Sequence, residues 1–303
     1  MIALGIDLGG TKIAAEIFGD DWSVVDTRRL PTPQDYDALV AARADQIAWA
    51  DAVAGKPLPV GVGAAGLVNP DSGLALTANL PASDRPFPAD IAKAVGRPIT
   101  YVNDCRAMAL SEAVFGAGRD HRTVLALILG TGVGGGVSIE KSLMCGPTQT
   151  GGEFGHICAP AHLVAEHDLP VVRCGCGRMG CIETYLAGPG MTRIATALTG
   201  QALTPPQVAD ARHTDAEAAK VWAVWLAFAA DHLRALTLTV DPDVIVLAGG
   251  LSQIEGLVPD LSRAFAAAQF DGFATPPVVL AQGGDSSGAR GAAYAALQEA
   301  PDA

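Results

Sequence analysis

Apolar positions along the chain gather into short runs that end in glycine. Residues 2–8 are almost all apolar, Gly9, Gly10, Thr11 and Lys12 interrupt them, and residues 13–18 resume the run. Two strands joined by a tight turn are predicted. A third strand is expected over 22–27. Residues 35–54 are alanine-rich, with Leu39, Val40, Ile47 and Val53 near helical spacing, and Gly55, Lys56 and Pro57 stop them. Strands are expected over 59–63 and 99–103, and Asp104 is placed to cap an alanine-rich helix running to Gly116. The first third therefore reads β-β-β-α-β-α.

The pattern starts again near residue 123. An apolar run over 124–129 meets Gly130, Thr131, Gly132, Val133, Gly134, Gly135 and Gly136, and another strand is expected from Val137, which makes a weak internal repeat. Residues 215–239 read as a long helix and 244–248 as a buried strand. Gly249 and Gly250 form a turn at that strand's carboxyl end, where open α/β sheets bind ligands. The expected architecture is two similar α/β lobes with a cleft between them. One lobe covers 1–116 and is joined by a C-terminal helix over 289–303; the other covers 117–288.

Composition narrows the classes. With 32 acidic against 20 basic residues the formal charge is -12, and no run of Lys or Arg would neutralise a row of phosphates, so nucleic acid is not an expected partner. Asp7 and the glycines after it come too early for a signal peptide, and no unbroken apolar run reaches the roughly 18 residues of a membrane span. A cytoplasmic chain with no membrane partner is expected. Of six cysteines, Cys174, Cys176 and Cys181 crowd together without a secretion signal, which favours metal binding over disulfides.

Glycine turns hold polyphosphates because backbone N–H groups can approach the oxygens closely. Each cluster alone is as readily a plain tight turn; three of them, each ending an apolar strand, point to phosphate. None has the spacing of a Walker loop, and no helix opens at Gly130 as a dinucleotide fingerprint requires. Phosphoryl transfer also needs a carboxylate within reach of the attacking hydroxyl, and Asp104, beside Asn103 at a strand end, is the candidate, with a plain helix-capping role as the alternative. Glu153 and His156 sit in a glycine-rich stretch suited to a ligand-presenting loop, and Glu183 follows the cysteines closely. Three thiolates with His156 as fourth ligand would close a tetrahedral Zn²⁺ site, with no open position and hence a structural role.

Taken together, Asp7 to Lys12, Asn103 and Asp104, the turn at Gly130, Glu153 to His156 and the Cys174 to Glu183 segment resemble the ROK family of sugar kinases from Gly5 to Arg290. The resemblance implies an actin-like, hexokinase-like fold of duplicated ribonuclease H-like units, ATP with Mg²⁺, a structural zinc, and a homodimer. It implies Asp104 as the base that deprotonates the 6-hydroxyl of a hexose, with sugar contacts from Asn79, Asn103, Glu153, His156 and Glu183. It places Gly5, Asp7, Gly9, Gly10, Thr11, Lys12, Gly130, Thr131, Gly132, Val133, Gly134, Gly135, Gly249 and Gly250 near the nucleotide. Gly66 belongs to the sugar loop, although Ala65 stands where the family usually has proline, and Cys105 follows the catalytic aspartate where alanine is common. The segments 168–174 and 181–188 resemble N-acetylglucosamine kinases and their fructokinase relatives. Small residues over 79–83, Ala82 among them, stand where fructokinases carry tryptophan and leave space for an acetamide. The expected reaction is N-acetyl-D-glucosamine to its 6-phosphate, with fructokinase, glucokinase or mannokinase activity as alternatives. The family's repressors carry a helix-turn-helix, and a non-catalytic sugar sensor is the reading from a different class. With the first strand expected from Ile2 and an acidic net charge, no such module is expected.

Overall fold

The computed structural model describes residues 1–77 and 79–300. In chain order its strands and helices are β1 (Ala3–Leu8), β2 (Lys12–Phe18), β3 (Val24–Pro31), α1 (Tyr36–Ala54), β4 (Val60–Ala64), β5 (Leu67–Val68), β6 (Ala75–Leu76), α2 (Phe87–Val95), β7 (Thr100–Asn103), α3 (Asp104–Val114), β8 (Thr123–Leu129), β9 (Val133–Ile139), β10 (Ser142–Leu143), α4 (Ala161–Glu166), α5 (Glu183–Leu186), α6 (Gly188–Thr199), α7 (Pro205–Ala211), α8 (Ala216–Val240), β11 (Val244–Ala248), α9 (Leu257–Ala268), β12 (Val278–Leu280) and α10 (Ser287–Glu299). They form two compact units. The first comprises Met1–Asp120, Gly136–Gly151 and Gln282–Ala303, the second His121–Gly135 and Gly152–Ala281. The segment 136–151, read from sequence as part of the second lobe, thus belongs with the first unit. The last three residues of the helix expected over 289–303 lie outside the described residues.

In unit 1 the sheet runs β3-β2-β1-β4-β7. β1, β2 and β3 are antiparallel neighbours, while β4 lies parallel to β1 and β7 parallel to β4. β1 and β2 are apolar at nearly every position because both faces of this sheet are covered. On one face Leu4, Ile6, Ile13 and Ile17 pack with Leu39 and Ile47 of α1. On the other, Ala3 and Phe18 pack with Ala289 and Ala293 of α10. α10 approaches so closely that a Cβ on Gly5 would stand 1.9 Å from the Ala289 carbonyl oxygen, and one on Gly61 1.8 Å from that of Ala292. α1 begins where the Asp35 carboxylate accepts the Ala38 N–H and ends at Gly55, which takes the left-handed conformation.

The second sheet runs β10-β9-β8-β11-β12, with β11 parallel to both β8 and β12. This is the order of the first sheet repeated, so the weak sequence repeat is a structural one. In each half a helix follows the last strand, α3 after β7 and α10 after β12, and both belong to unit 1. α8, capped by Asp215, is the core helix of unit 2 and buries Trp225, Phe228 and Leu233. By length and mean hydropathy it is apolar enough to cross a membrane, although Lys220, Asp231 and Arg234 leave it without an unbroken apolar run of that length. In the protein 56% of its most apolar window is buried, as in the core helix of a water-soluble fold.

Three local expectations change. β3 starts at Val24, because Trp22 takes a positive φ of 63° in the preceding turn and packs its ring at a tilt against Phe115 and Tyr294. The helix after β7 is capped by Asn103, not Asp104, and ends at Val114. β9 starts at Val133 rather than Val137, so only residues 130–132 form the turn.

Candidate active site and metal centre

In unit 1 the Asn103 side chain does two things. Its Oδ1 accepts the N–H groups of Cys105 and Arg106, starting α3, and its Nδ2 donates to the Gly66 carbonyl at 3.1 Å. Gly66 has a φ of 114°, and a Cβ there would lie 2.3 Å from the Leu76 carbonyl oxygen, so the loop beneath the amide requires glycine. With the cap taken by Asn103, Asp104 stands in the first helical turn, half-buried, its Oδ1 accepting the Cys105 N–H at 2.8 Å. A carboxylate is thereby fixed at the carboxyl end of a parallel strand by two residues of one motif.

Asp7 ends β1 near this carboxylate. Burial pushes its carboxyl up from the usual 3.8 to about 6, the charge of Asp104 adds to the rise, Lys12 opposes it, and Glu16 and Asp285 contribute further repulsion. The adjoining turn is closed by the Gly9 N–H donating to Lys12 and by the Thr32 hydroxyl donating to the Gly9 carbonyl. Gly10 leans on Asn79, whose Cβ would be 2.9 Å from a Cβ at 10. Thr11 and Lys12 are exposed. Gly5, by contrast, lies mid-strand under α10. Ala82 is fully buried in the core with Leu80 and Phe87, so the small side chain at 82 fills the interior and leaves no room for an acetamide there.

Unit 2 carries the second turn. The Gly130 N–H donates to the Gly132 carbonyl, and the Gly188 N–H donates to the Gly130 carbonyl, tying the start of α6 to the turn. Gly134 and Gly135 lie in β9. A Cβ on Gly135 would stand 2.8 Å from the Phe154 ring, and one on Gly155 2.3 Å from the Val133 carbonyl oxygen. Their bareness lets the 3-10 turn Phe154–His156 close on β9 and present Glu153 and His156. Glu183, at the start of α5, accepts the Val133 N–H through Oε2 at 2.9 Å, and its Oε1 lies 3.6 Å from the Cys174 sulfur. One carboxylate therefore joins the glycine turn to the cysteine cluster.

In that cluster, His156 Nδ1 lies 3.5 Å from Cys174 Sγ, and Cys176 Sγ lies 3.5 Å from Cys181 Sγ. The four donor atoms all fall within 4.8 Å of one another. Zn–S bonds of about 2.3 Å in a tetrahedron separate sulfurs by about 3.8 Å, so the spacing of the set is compatible with a zinc ion. Cys174 and Cys181 are buried, Cys176 is exposed, and no disulfide joins the cysteines among the described residues. Burial, followed by the neighbouring thiols, pushes the Cys181 thiol up to about 12, and burial also raises Cys174; backbone hydrogen bonding near Arg178 lowers Cys176. Without a cation, the Cys174 and Cys181 thiols resist ionising. His156 Nε2 faces the other way, 3.8 Å from Glu153.

A groove of about 510 Å³ in unit 2 is lined by Gly130, Thr131, Gly188, Thr192, Pro205 and Gly250 among others. Gly249 has a φ of 86°, and a Cβ there would lie 2.4 Å from the Leu129 carbonyl oxygen, so β11 meets β8 at a bare edge. Sequence reading found Gly130, Thr131 and Gly250 but missed Gly188, Thr192 and Pro205. The Gly188-Pro189 pair opening α6 was the available signal.

A doubled α/β fold with a glycine turn after the first strand of each half, one beside carboxylates and one tied to a thiol cage, defines a phosphate-handling enzyme class. The chain belongs to the ROK family, whose model matches residues 3–299. Its sequence is 41% identical over 292 residues to the N-acetylgalactosamine kinase AgaK of Shewanella sp. (strain ANA-3), covering 95% of this chain and 94% of that protein. It is 36% identical over 301 residues to an N-acetyl-D-glucosamine kinase of Yersinia pseudotuberculosis serotype O:1b (strain IP 31758), covering 97% and 99%. Among solved structures it superposes on the ROK hexokinase from Thermus thermophilus with a TM-score of 0.86 and 31% identity, covering 99% of each chain.

Proposed function

We propose that this chain, an ATP-dependent ROK sugar kinase, phosphorylates the 6-hydroxyl of a 2-acetamido hexose, N-acetyl-D-glucosamine in the first instance. The observation that carries the reading is the Asn103–Asp104 pair: because Asn103 takes the helix cap, Asp104 is held in place while keeping carboxylate capacity for a substrate proton. The acceptor class is supported by relatives named for N-acetylglucosamine and N-acetylgalactosamine, sugars that share the acetamido group and differ at C4. The 41% identity to the latter favours N-acetyl-D-galactosamine as a second reading.

In this reading ATP with Mg²⁺ supplies the phosphoryl group and neutralises its charge when bound. Asp104 takes the proton of the attacking hydroxyl. In unit 1 the family resemblance assigns Asn103, Asn79 and the Gly66 loop to the sugar, and Asp7, Gly9, Gly10, Thr11 and Lys12 to the nucleotide. In unit 2 it assigns Glu153, His156 and Glu183 to the sugar, and Gly130, Thr131, Gly132, Gly249 and Gly250 to the nucleotide, with the groove beside Gly188 and Thr192 receiving the adenosine. Three thiolates and His156 Nδ1 hold a structural zinc, which orients Nε2 toward the sugar. The family resemblance also supports a cytoplasmic homodimer, which analytical ultracentrifugation checks.

Coupled ADP release across N-acetylglucosamine, N-acetylgalactosamine, glucose, mannose and fructose tests the assignment. The highest kcat/KM is expected for an N-acetyl sugar, and a preference for fructose or glucose overturns it.

A further inference from the structure

Glu112 lies in the last turn of α3, fully buried, where a carboxylate faces the negative end of the helix dipole. A buried carboxylate there is stabilised only by donors, and it has four. Its Oε2 accepts the Ala117 N–H at 3.0 Å and the Gln282 N–H at 2.9 Å, and its Oε1 accepts the Gly283 N–H at 2.6 Å and the Ser287 hydroxyl at 3.4 Å. Two glycines make room for it. A Cβ on Gly116 would stand 2.0 Å from Oε2, and one on Gly283 2.6 Å from Oε1. The carboxylate therefore clasps the segment 282–287 onto α3.

Both of the parts it joins reach groups of the site in unit 1. α3 carries Asp104 in its first turn, about two helical turns before Glu112. The segment 282–287 leads into α10, near whose start a Cβ on Gly288 would lie 3.2 Å from the Asp7 carboxyl carbon. Asp285, in the 3-10 turn Gly284–Ser286, is close enough for its charge to add to the repulsion on Asp7. Further along, α10 meets α3 so tightly that a Cβ on Gly291 would stand 1.7 Å from the Ala107 carbonyl oxygen. Contacts between such small residues set how near the two helices come but give no directional bond to fix where α10 stops along its axis. The charge-assisted bonds of Glu112 are short and directional, and they act at the end of α10 nearest Asp7.

We propose that Glu112 is a positioning residue for phosphoryl transfer: by clasping the start of α10 to α3 it holds Asp104 and Asp7 at the separation the reaction requires. Being fully buried, it touches neither sugar nor nucleotide. The inference rests on the reading of Asp104 as the base and of Asp7 as an acid on the nucleotide side. The bond between Asn103 and Gly66 does not pass through the clasp. Loosening the clasp therefore costs turnover and spares sugar binding.

Glu112→Gln and Gly283→Ala test this from the two sides of the contact. Glutamine keeps the shape and one acceptor oxygen but turns its amide N–H groups toward a tethered backbone N–H. Alanine leaves Glu112 in place, meets no backbone strain at a φ of -71°, and sets its methyl against Oε1. Calorimetric sugar titration without nucleotide gives Kd and the fraction of molecules competent to bind, and coupled ADP release gives kcat per competent molecule. That kcat is expected to fall about 10–100-fold in each variant with sugar Kd within about twofold of wild type, and the double variant is expected to fall no further than the worse single one. A contact that only stabilises the fold would reduce the competent fraction and leave kcat of the remainder unchanged, or weaken sugar binding in parallel with kcat. Either result overturns the proposal, as does a double variant whose losses multiply. Wild-type kcat in both variants overturns the proposal alone, whereas a wild-type protein that releases no ADP with any hexose overturns the kinase reading and the proposal with it.

Discussion

The two glycine turns occupy the same place in repeated sheets, yet their carboxylates are satisfied in opposite ways. At the unit 2 turn Glu183 accepts the Val133 N–H and lies beside the Cys174 thiol, so its oxygens have hydrogen-bond partners. At the unit 1 turn burial, with the charge of Asp104 beside it, pushes Asp7 up to about 6. The second arrangement is unfavourable in the free protein and improves only when a cation or a cation-bound phosphate arrives. Duplication supplied one scaffold, and side chains made one turn a rigid cage and the other a charged socket.

The largest test of that contrast is at the base. Asp104→Asn keeps the hydrogen bond to the Cys105 N–H but cannot accept a proton, so kcat is expected to fall about 10²–10⁴-fold with sugar Kd little changed. Steady-state kinetics with calorimetric sugar binding checks it, and near-native kcat removes Asp104 from the base role. Next comes the cage. Cys181→Ser is expected to lower zinc content below one per chain and to reduce kcat/KM for sugar about 10–100-fold, because His156 and Glu183 lose the support that orients them. Elemental analysis beside kinetics decides between a structural zinc and a mere thiol cluster.

How far these features were readable from sequence depended on whether local or tertiary forces set them. The strands β1, β8 and β11 were legible because sheets covered on both faces leave unbroken apolar runs. β9 was misread in its first half: Val133 followed by three glycines looks like a loop, and only the packing of Phe154 and Gly155 explains why a strand is glycine-rich there. Asn103 and Asp104 are both good caps, so which one caps is decided by the reach of Asn103 to Gly66. The thiol set was legible from spacing alone, whereas the contact of Glu183 with Val133, 50 residues apart, was not. The buried place of Ala82 shows the same limit, since a small residue signals space without saying on which side of the chain the space lies.

A smaller test bears on the socket. Asp7 titrates at about 6 folded against 3.8 as the usual value, so the folded protein holds this proton more tightly. Its contribution is present below the unfolded value and is lost as pH rises through about 6, a deficit of at most about 3 kcal/mol at pH 8. Asp7→Asn is therefore expected to raise the melting temperature at pH 8 by about 4 °C without divalent ions, and to change it little at pH 3.5. Scanning calorimetry at the two pH values checks this; an equal shift at both would mean that burial and its neighbours do not raise Asp7 in the folded protein.

The smallest effects concern groups that each unit buries without a partner, and they separate by charge. In unit 1 the Arg43 guanidinium is buried on α1 with no hydrogen-bond partner among the described residues, and burial lowers its pKa only to about 10, so it stays charged at neutral pH. In unit 2 His232, buried on α8 with both ring nitrogens unpartnered among the described residues, is lowered by burial to about 4 and so stays neutral. Removing a buried unpaired charge stabilises at every pH where it is charged, so Arg43→Met is expected to gain about 2 kcal/mol at pH 7.5 and the same at pH 5. A histidine held neutral costs stability only where the unfolded chain takes up the proton, so the penalty grows as pH falls from about 6.5 toward 4. His232→Leu is therefore expected to change stability by less than about 1 kcal/mol at pH 7.5 and to gain progressively below pH 6. Urea unfolding of both variants at pH 7.5 and 5 measures the difference, and a pH-independent gain at His232 would show that the ring is already paired or hydrated in solution.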